Sequence, residues 1–134
     1  MNTLDQLVYC SRARLTREQV VEQIADIVHV STARNARVGI TGALTLRDGA
    51  FVQLLEGSPT ELDILMLHLH FDVRHEDIVV LAREQITLRA FPAWGMTAPR
   101  LDQHTASALD RLIAERSPRL DSWRQALGAA LVAR

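Results

Sequence analysis

The sequence is poor in the features that mark secreted and membrane-spanning proteins. It contains one cysteine, Cys10, so no disulfide can form within the chain, and a reducing compartment such as the cytoplasm is expected. The first residues carry Asp5, Arg12 and Arg14 and lack an apolar core, so we expect no signal peptide. No apolar run approaches the ~18 residues that a membrane span requires. These absences predict a cytoplasmic protein without a membrane association.

Length and composition predict one globular domain, and its charge does not favour a polyanionic partner. The chain has 134 residues, 48% of them hydrophobic, which is enough for one core but not for two. Its 15 basic and 16 acidic residues give a net charge of −1, and no block of like charge occurs. We therefore expect no direct binding of nucleic acid or of anionic membranes.

Motifs for metal binding and for catalysis are scarce as well. The five histidines do not predict a metal site, because there is one cysteine and no HExxH sequence. The sequence GITG lacks both the spacing and the lysine of a phosphate-binding loop, and no serine stands in a nucleophile-elbow context. The Arg34-Asn35 pair keeps one enzymatic alternative open, a phosphate-binding protein of the acylphosphatase type.

The most informative stretch runs from Asn35 to Gly57 and predicts a β-hairpin. An Asp48-Gly49 pair between two apolar runs favours a tight turn, with strands at about 39–47 and 50–56. The rest of the fold is organised around these two strands.

Gln53 is the unusual residue of the second hairpin strand. Alternation places it on the same face as Phe51 and Leu55, whereas Val52, Leu54 and Glu56 share the other face. A buried amide without partners costs roughly 1–3 kcal/mol. Gln53 must therefore meet another polar core group or a polar ligand.

Two helices flank the hairpin, and each has a capping signal. Thr16 and Gln19 form a capping box that opens a helix ending near Asn35. The expected buried stripe of this helix comprises Val20, Ile24, Ile27, Val28 and Ser31. Ser58 caps a second helix, which begins at a proline and runs to about Phe71.

The remaining strands complete a known arrangement. We expect them at residues 4–10, 78–82 and 85–96, the last one interrupted by a proline. The order β-α-β-β-α-β-β predicts an α+β, ferredoxin-like fold with both helices on one face of the sheet. The first and third strands are central neighbours in this topology, so Tyr9 should lie beside Gln53 beneath the helices.

The opposite face of the sheet must also be covered, because the strand FVQLLE is apolar on both faces. Residues 101–134 predict two antiparallel helices, broken at Ser117-Pro118, that supply this cover. Their apolar positions are Leu101, Leu109, Leu112, Ile113, Leu120, Trp123, Leu127 and Leu131. We expect a domain at 1–100 and a helical cap at 101–134 within the same structural unit.

Five short motifs stand in order between residues 4 and 97. They are VYCS with Tyr9, Asn35 ahead of GITGAL, DGAFVQLLEG with Gln53, DVRH ending at His75, and FPAWGM. In this order and spacing they resemble the BLUF family of blue-light sensors that use FAD. The resemblance implies a flavin held between the two helices on one face, and no turnover of a substrate.

The resemblance also implies roles for individual residues. Tyr9 would donate an electron to the excited flavin, and Gln53 would bridge Tyr9 to the ring and switch by rearrangement or a tautomer change. Trp94 and Met96 would relay the signal by exchanging exposure. The implied flavin-binding residues are Ile27, Ser31, Arg34, Asn35, Gln53, His68, Leu69, Arg74 and His75.

Two of these positions depart from the family pattern. Arg34 stands where many relatives have a second asparagine, and His68 where several carry Lys or Arg near the ribityl-phosphate tail. The second change concerns the grip on the phosphates. The His68 change does not affect the site for the ring. There, Ile27 and Leu69 would sandwich the ring and Asn35 would bind its pyrimidine edge.

The expected function is that of a blue-light photoreceptor with bound FAD. Because residues 101–134 are only long enough to cap the sheet, no effector domain is expected after them. The signal should reach a separate downstream protein acting in trans, and a homodimer or larger homo-oligomer is expected. The alternative is a light-insensitive interaction module on the same fold, or the phosphate-binding enzyme named above.

Overall fold

A five-stranded sheet with helices on both faces forms the centre of the computed structural model, which describes residues 3–97 and 100–132. The elements are β1 (Leu4–Ala13), α1 (Arg17–Val38), β2 (Thr41–Arg47), β3 (Ala50–Gly57), α2 (Pro59–His70), β4 (His75–Ile86), β5 (Trp94–Met96), α3 (Gln103–Glu115) and α4 (Leu120–Val132). The strand order is β4-β1-β3-β2-β5, with β5 parallel to β2 and the other pairs antiparallel. This arrangement confirms the predicted α+β, ferredoxin-like fold.

Helix α1 begins as predicted and ends later than predicted. The Gln19 backbone N donates to Thr16 Oγ1 (3.2 Å), and the Thr16 backbone N donates to Gln19 Oε1 (2.8 Å), which completes the capping box. The helix continues past Asn35 to Val38, because the left-handed residue that stops it is Gly39, with φ of 73°. The side chains of Val20 and Ile24 lie outside the described residues.

The β2–β3 hairpin turns at Asp48 and Gly49, as the sequence indicates. Their φ angles are 48° and 81°, both positive, as the commonest two-residue hairpin turns require. The pairing runs from Arg47 opposite Ala50 to Thr41 opposite Glu56. The hairpin prediction is confirmed, except that β2 begins at Thr41.

The predicted strand at 85–96 is wrong in its extent. Strand β4 pairs with β1 along its length, with Leu4 opposite Ile86, so it continues through Ile86 before the chain leaves the sheet edge. Residues 87–93 then cross to the other edge, where β5 has only the three residues Trp94–Met96 beside β2. His75, expected in the exit loop, is the first residue of β4.

Each face of the sheet has its own apolar core. The face under α1 and α2 buries Leu7, Tyr9, Ile40, Leu44, Phe51, Leu55, Leu62, Leu65, Met66 and Trp94. The face under α3 and α4 buries Val8, Ala43, Val52, Leu54, Phe91, Leu109, Leu120, Trp123, Ala126, Leu127 and Ala130. The cover predicted for the second face is therefore present. No helix in the described part of the chain is long and apolar enough to cross a membrane.

Candidate functional site

Tyr9 and Gln53 face each other across the two central strands, as the topology predicts. They are register partners of β1 and β3, and both side chains are buried. Gln53 Nε2 donates a hydrogen bond of 2.6 Å to Tyr9 Oη. The polar partner that the sequence requires for Gln53 is thus the phenol of Tyr9.

Trp94 occupies the other end of the Gln53 amide. Its Nε1 donates a hydrogen bond of 2.8 Å to Gln53 Oε1, and its side chain is 7% exposed. Strand β5 brings this indole near Gln53 because Trp94 pairs with Gly42 of β2, and the partner of Gly42 on β3 is Leu55, two residues from Gln53 on the same strand face. The amide therefore uses a donor toward one aromatic side chain and an acceptor toward another.

The phenol of Tyr9 holds its proton firmly. Burial raises the pKa of Tyr9 well above its ordinary value, because a phenolate would lose its hydration there. The hydrogen bond from Gln53 lowers this pKa, nearby Asp72 raises it and Arg34 lowers it, but burial is the largest effect. Tyr9 is thus neutral at physiological pH and retains a proton that it can transfer.

A cleft opens above this pair, between α1 and the end of α2. It encloses about 60 Å³ and is open on one side. Its lining residues are Tyr9, Ile27, Ser31, Arg34, Leu44, Phe51, Gln53, Leu69, Asp72, Arg74, His75 and Trp94. Ile27 and Leu69, predicted on opposite sides of a flat ligand, come from the two different helices.

His75 connects the floor of the cleft to α2. Its Nε2 lies 2.9 Å from the carbonyl of Leu69, which can only accept, so Nε2 carries the hydrogen. With Nε2 as the donor, Nδ1 can accept from Ser11 Oγ at 2.7 Å. The ring also stands edge-on to Tyr9 and Phe51 at 6.3 and 6.0 Å between centroids. His75 thereby fixes the end of α2 against the aromatic floor.

Asp72, which the sequence did not single out, neutralises Arg74 at the mouth of the cleft. Arg74 Nη2 lies 2.6 Å from Asp72 Oδ2, and Arg74 Nε donates to Asp72 Oδ1 at 2.9 Å. This pairing with Arg74 lowers the pKa of Asp72 below its ordinary value. The spacing of Asp and Arg two residues apart in a turn was the signal that could have revealed this pair.

Two adjacent residues of α1 leave buried polar atoms unpaired among the described residues. Asn35 is completely buried with neither Nδ2 nor Oδ1 bonded, and Arg34 Nε is also unpaired. Each unmet group costs roughly 1–3 kcal/mol. Both residues line a second cavity of about 90 Å³, together with Val38, Ile40, Glu61, Ile64, Leu65 and His68. These atoms fit a ligand edge that carries both donors and acceptors, as the ring edge of a flavin does.

The structure does not gather every predicted site residue at the first cleft. Asn35 and His68 line the second cavity, and Arg34 lines both. Met96 is half-buried and lines neither cavity. The two cavities share Arg34, so together they follow the groove between α1 and α2.

These features define a ligand-binding α+β domain with a small polar network beneath a groove. A family model described as "Sensors of blue-light using FAD", BLUF, matches residues 4–97. The dark-state structure of the BLUF protein BlrB has a TM-score of 0.83 and 33% identity, covering 98% of this chain and 99% of that chain. The structure of a bacterial light-regulated adenylyl cyclase has a TM-score of 0.67 and 33% identity, covering 84% and 34%.

Photoactivated adenylate cyclase subunit alpha of Euglena gracilis is 34% identical over 102 residues, which are 76% of this chain and 10% of that protein. This chain therefore belongs to the BLUF family, and its role is that of a blue-light sensor that uses FAD. It spans about a tenth of the length of the curated relatives it matches.

Proposed function

We propose that Tyr9, Gln53 and Trp94 form the light switch of this chain, with Gln53 as the part that changes. The observation that supports this role is the Gln53 amide held between the phenol of Tyr9 and the indole of Trp94. A bound flavin supplies the absorption of blue light and an oxidising excited state. The residues of this chain supply the orientation of the ring and a hydrogen-bond network with two arrangements.

The two arrangements follow from which groups can donate. An indole N–H can only donate, whereas a phenol can donate or accept. At present Gln53 Oε1 accepts from Trp94, and Gln53 Nε2 donates to Tyr9. Turning the amide by half a turn would place its NH₂ against the indole N–H, and two donors cannot bond. Loss of the Trp94 hydrogen bond is therefore coupled to any rearrangement at Tyr9.

The residues that would hold the flavin divide into walls and edge contacts. Ile27 and Leu69 are the apolar walls, and Ser31, Arg34 and Asn35 supply polar contacts from one helix face. His68, at the second cavity, is placed to contact the tail of the ligand in place of a more basic residue. Gln53 contacts the ring edge, while Arg74, paired with Asp72, and His75 shape the mouth of the cleft.

We propose that the output acts in trans, on a separate protein or through a homo-oligomer, and that the chain turns over no substrate. The domain at 1–100 and the cap at 101–134 would form one cytoplasmic unit. In support, Leu109, Trp123 and Leu127 of the C-terminal helices are completely buried against the sheet. Two of the relatives named above are light-regulated cyclases, so we propose a cyclase or similar effector as the class of partner.

One absorption experiment tests this function. The purified full chain should be yellow, should release FAD on denaturation, and should show a red shift in blue light that reverses in the dark. A protein that neither carries flavin nor binds added FAD would contradict the proposal. A flavin spectrum that light leaves unchanged would support the light-insensitive module instead. Sedimentation velocity in the dark and in light then tests the oligomer.

A further inference from the structure

A row of polar side chains crosses the sheet on the face opposite the flavin site. Glu56 of β3 is the register partner of Thr41 on β2 and of Gln6 on β1, and Gln6 is the partner of Glu84 on β4. We name these four residues the polar row. Glu56 is completely buried, and Gln6 is 1% exposed, although this face carries the apolar core under α3 and α4. A carboxylate in such a place requires several hydrogen bonds.

Glu56 accepts four hydrogen bonds. Gln6 Nε2 donates at 2.8 Å and Thr41 Oγ1 at 3.1 Å. The other two donors are adjacent backbone groups, the N–H of Ala90 to Oε2 at 2.7 Å and the N–H of Phe91 to Oε1 at 2.9 Å. One carboxylate therefore clamps the loop of residues 87–93, with one oxygen on each backbone group.

This loop leads directly into the indole that binds Gln53. Strand β5 has three residues and pairs with β2, and just before it Ala93 accepts from the Gly42 backbone N at 3.2 Å. So short a strand contributes few ladder bonds. The position of Trp94 therefore also depends on how the preceding loop is held. Besides the clamp at Ala90 and Phe91, Arg89 Nη1 donates to Thr41 Oγ1 at 2.8 Å and to the Glu56 carbonyl at 3.2 Å, and the Phe91 side chain is buried.

We propose that Glu56 is a positioning residue for the light switch. It holds the loop of residues 87–93 so that Trp94 Nε1 reaches Gln53 Oε1, and the proposal rests on the function proposed above for that pair. Glu56 shares a strand with Gln53, but its side chain lies on the opposite face and lines neither cavity of the flavin groove. Its effect on the switch is exerted through the loop.

The polar row also joins this loop to α4. Arg124 Nη1 donates to Gln6 Oε1, and the same atom lies 3.6 Å from Glu84 Oε1. A displacement of the loop amides from Glu56 changes a network in which the next members are Gln6 and Arg124. The clamp thus stands between the indole at the flavin face and a helix of the cap.

Glu56→Gln tests the clamp with almost no change of shape. Each carboxylate oxygen accepts one backbone N–H, so either orientation of the new amide places an NH₂ group against a backbone donor.

The chain has two tryptophans, Trp94 and Trp123, so 5-fluorotryptophan labelling gives two ¹⁹F resonances, assigned with Trp94→Phe. In the dark, flavin-bound Glu56→Gln should shift or split the Trp94 resonance and leave that of Trp123 unchanged. Amide exchange at Ala90 and Phe91 should rise on the order of tenfold.

Asp110→Asn is the matched control. It also neutralises a carboxylate that ties the sheet to a C-terminal helix, through Arg47 at 2.9 Å, but does so at the hairpin end of the sheet. Its Trp94 resonance should stay in place. Thr41→Val keeps the backbone clamp and removes the Thr41 hydroxyl, which donates to Glu56 at 3.1 Å and accepts from Arg89 of the loop at 2.8 Å. It should give a smaller Trp94 shift than Glu56→Gln, and it is the variant to use if Glu56→Gln does not fold.

Wild-type values for Trp94 and for both loop amides in Glu56→Gln would overturn the proposal, as would equal shifts of both tryptophans. These measurements are made in the dark and need no photochemistry. A wild-type protein without a light response would contradict the proposed switch, while the dark comparison would still decide the role of Glu56.

Discussion

At Gln53, one amide group joins strands that lie far apart in the sequence. Its two hydrogen bonds reach Tyr9 on β1 and Trp94 on β5, so a change in one of them acts on the other. Burial of all three side chains makes such a network strong when it is complete and costly when one bond is missing. A two-state response at this residue needs no large movement of the fold.

Gln53→Leu should retain FAD and lose the reversible red shift. Leucine suits a strand face that already carries Phe51 and Leu55, but it has no donor or acceptor to rearrange. The measurement is the absorption spectrum before, during and after blue light, with flavin content determined separately. Thr45→Val, which removes a buried hydroxyl bonded to Thr97 at 2.8 Å, is the control and should keep a normal shift. A normal shift in Gln53→Leu would rule out its switch role.

Tyr9→Phe should also abolish the photocycle, because only the phenol oxygen is lost while the ring still fills its place. The flavin should remain bound and should fluoresce more strongly, since we propose that Tyr9 is its main quencher. Steady-state fluorescence and photoproduct yield are the two measurements. An unchanged yield would mean that another residue donates the electron, and Trp94 would be the first to test.

Pairing between regular strands could be predicted from the sequence, whereas contacts made by loops could not. Alternation and topology were sufficient to place Tyr9 beside Gln53, because register fixes which side chains meet. The three-residue length of β5 depends on a crossing between two sheet edges, which no local pattern encodes. The role of Glu56 could not be predicted either, because its partners include backbone groups of Ala90 and Phe91 in that crossing loop. Asp72 differs, because its spacing from Arg74 in the sequence could have revealed the pair.

Strand β2 contains a glycine that its neighbours require. Gly42 has φ of 144°, and a Cβ added there would lie 1.9 Å from the carbonyl oxygen of Leu54. Gly42→Ala should therefore lower the free energy of unfolding by about 2–4 kcal/mol. Gly128→Ala in α4, where a Cβ meets nothing within 4 Å, should instead raise it by about 0.5–1 kcal/mol. Urea denaturation of both variants checks the pair, and equal stability of Gly42→Ala and wild type would contradict the close approach.

At the scale of the whole molecule, the two faces of the sheet have different roles. One face carries the groove and the proposed switch, and the other is covered by α3 and α4. Ending the chain after Arg100 should permit flavin binding, because the proposed ligand contacts lie earlier. The truncated protein should be less soluble, because Val8, Val52 and Leu54 would lose their cover and form an apolar surface in contact with water. Static light scattering measures the association of both proteins. A truncated protein that is as soluble and monodisperse as the full chain would contradict the role of the cap.

A signal that begins at Gln53 must cross the sheet to reach the cap. In the described part of the chain, the loop of residues 87–93 leads from Trp94 to Glu56, and hydrogen bonds then lead from Glu56 through Gln6 to Arg124. Release of Trp94 would loosen the loop of residues 87–93, and the polar row would transmit this change through Gln6 to Arg124 of α4. Hydrogen exchange of the full chain should therefore increase in light within residues 87–97 and around 120–127. Gln6→Met, which removes the link but keeps the loop clamp, should reduce the change in α4 and leave that in the loop. Light-dependent changes confined to α1 and α2 would exclude this route, because the sheet would then not carry the signal at all.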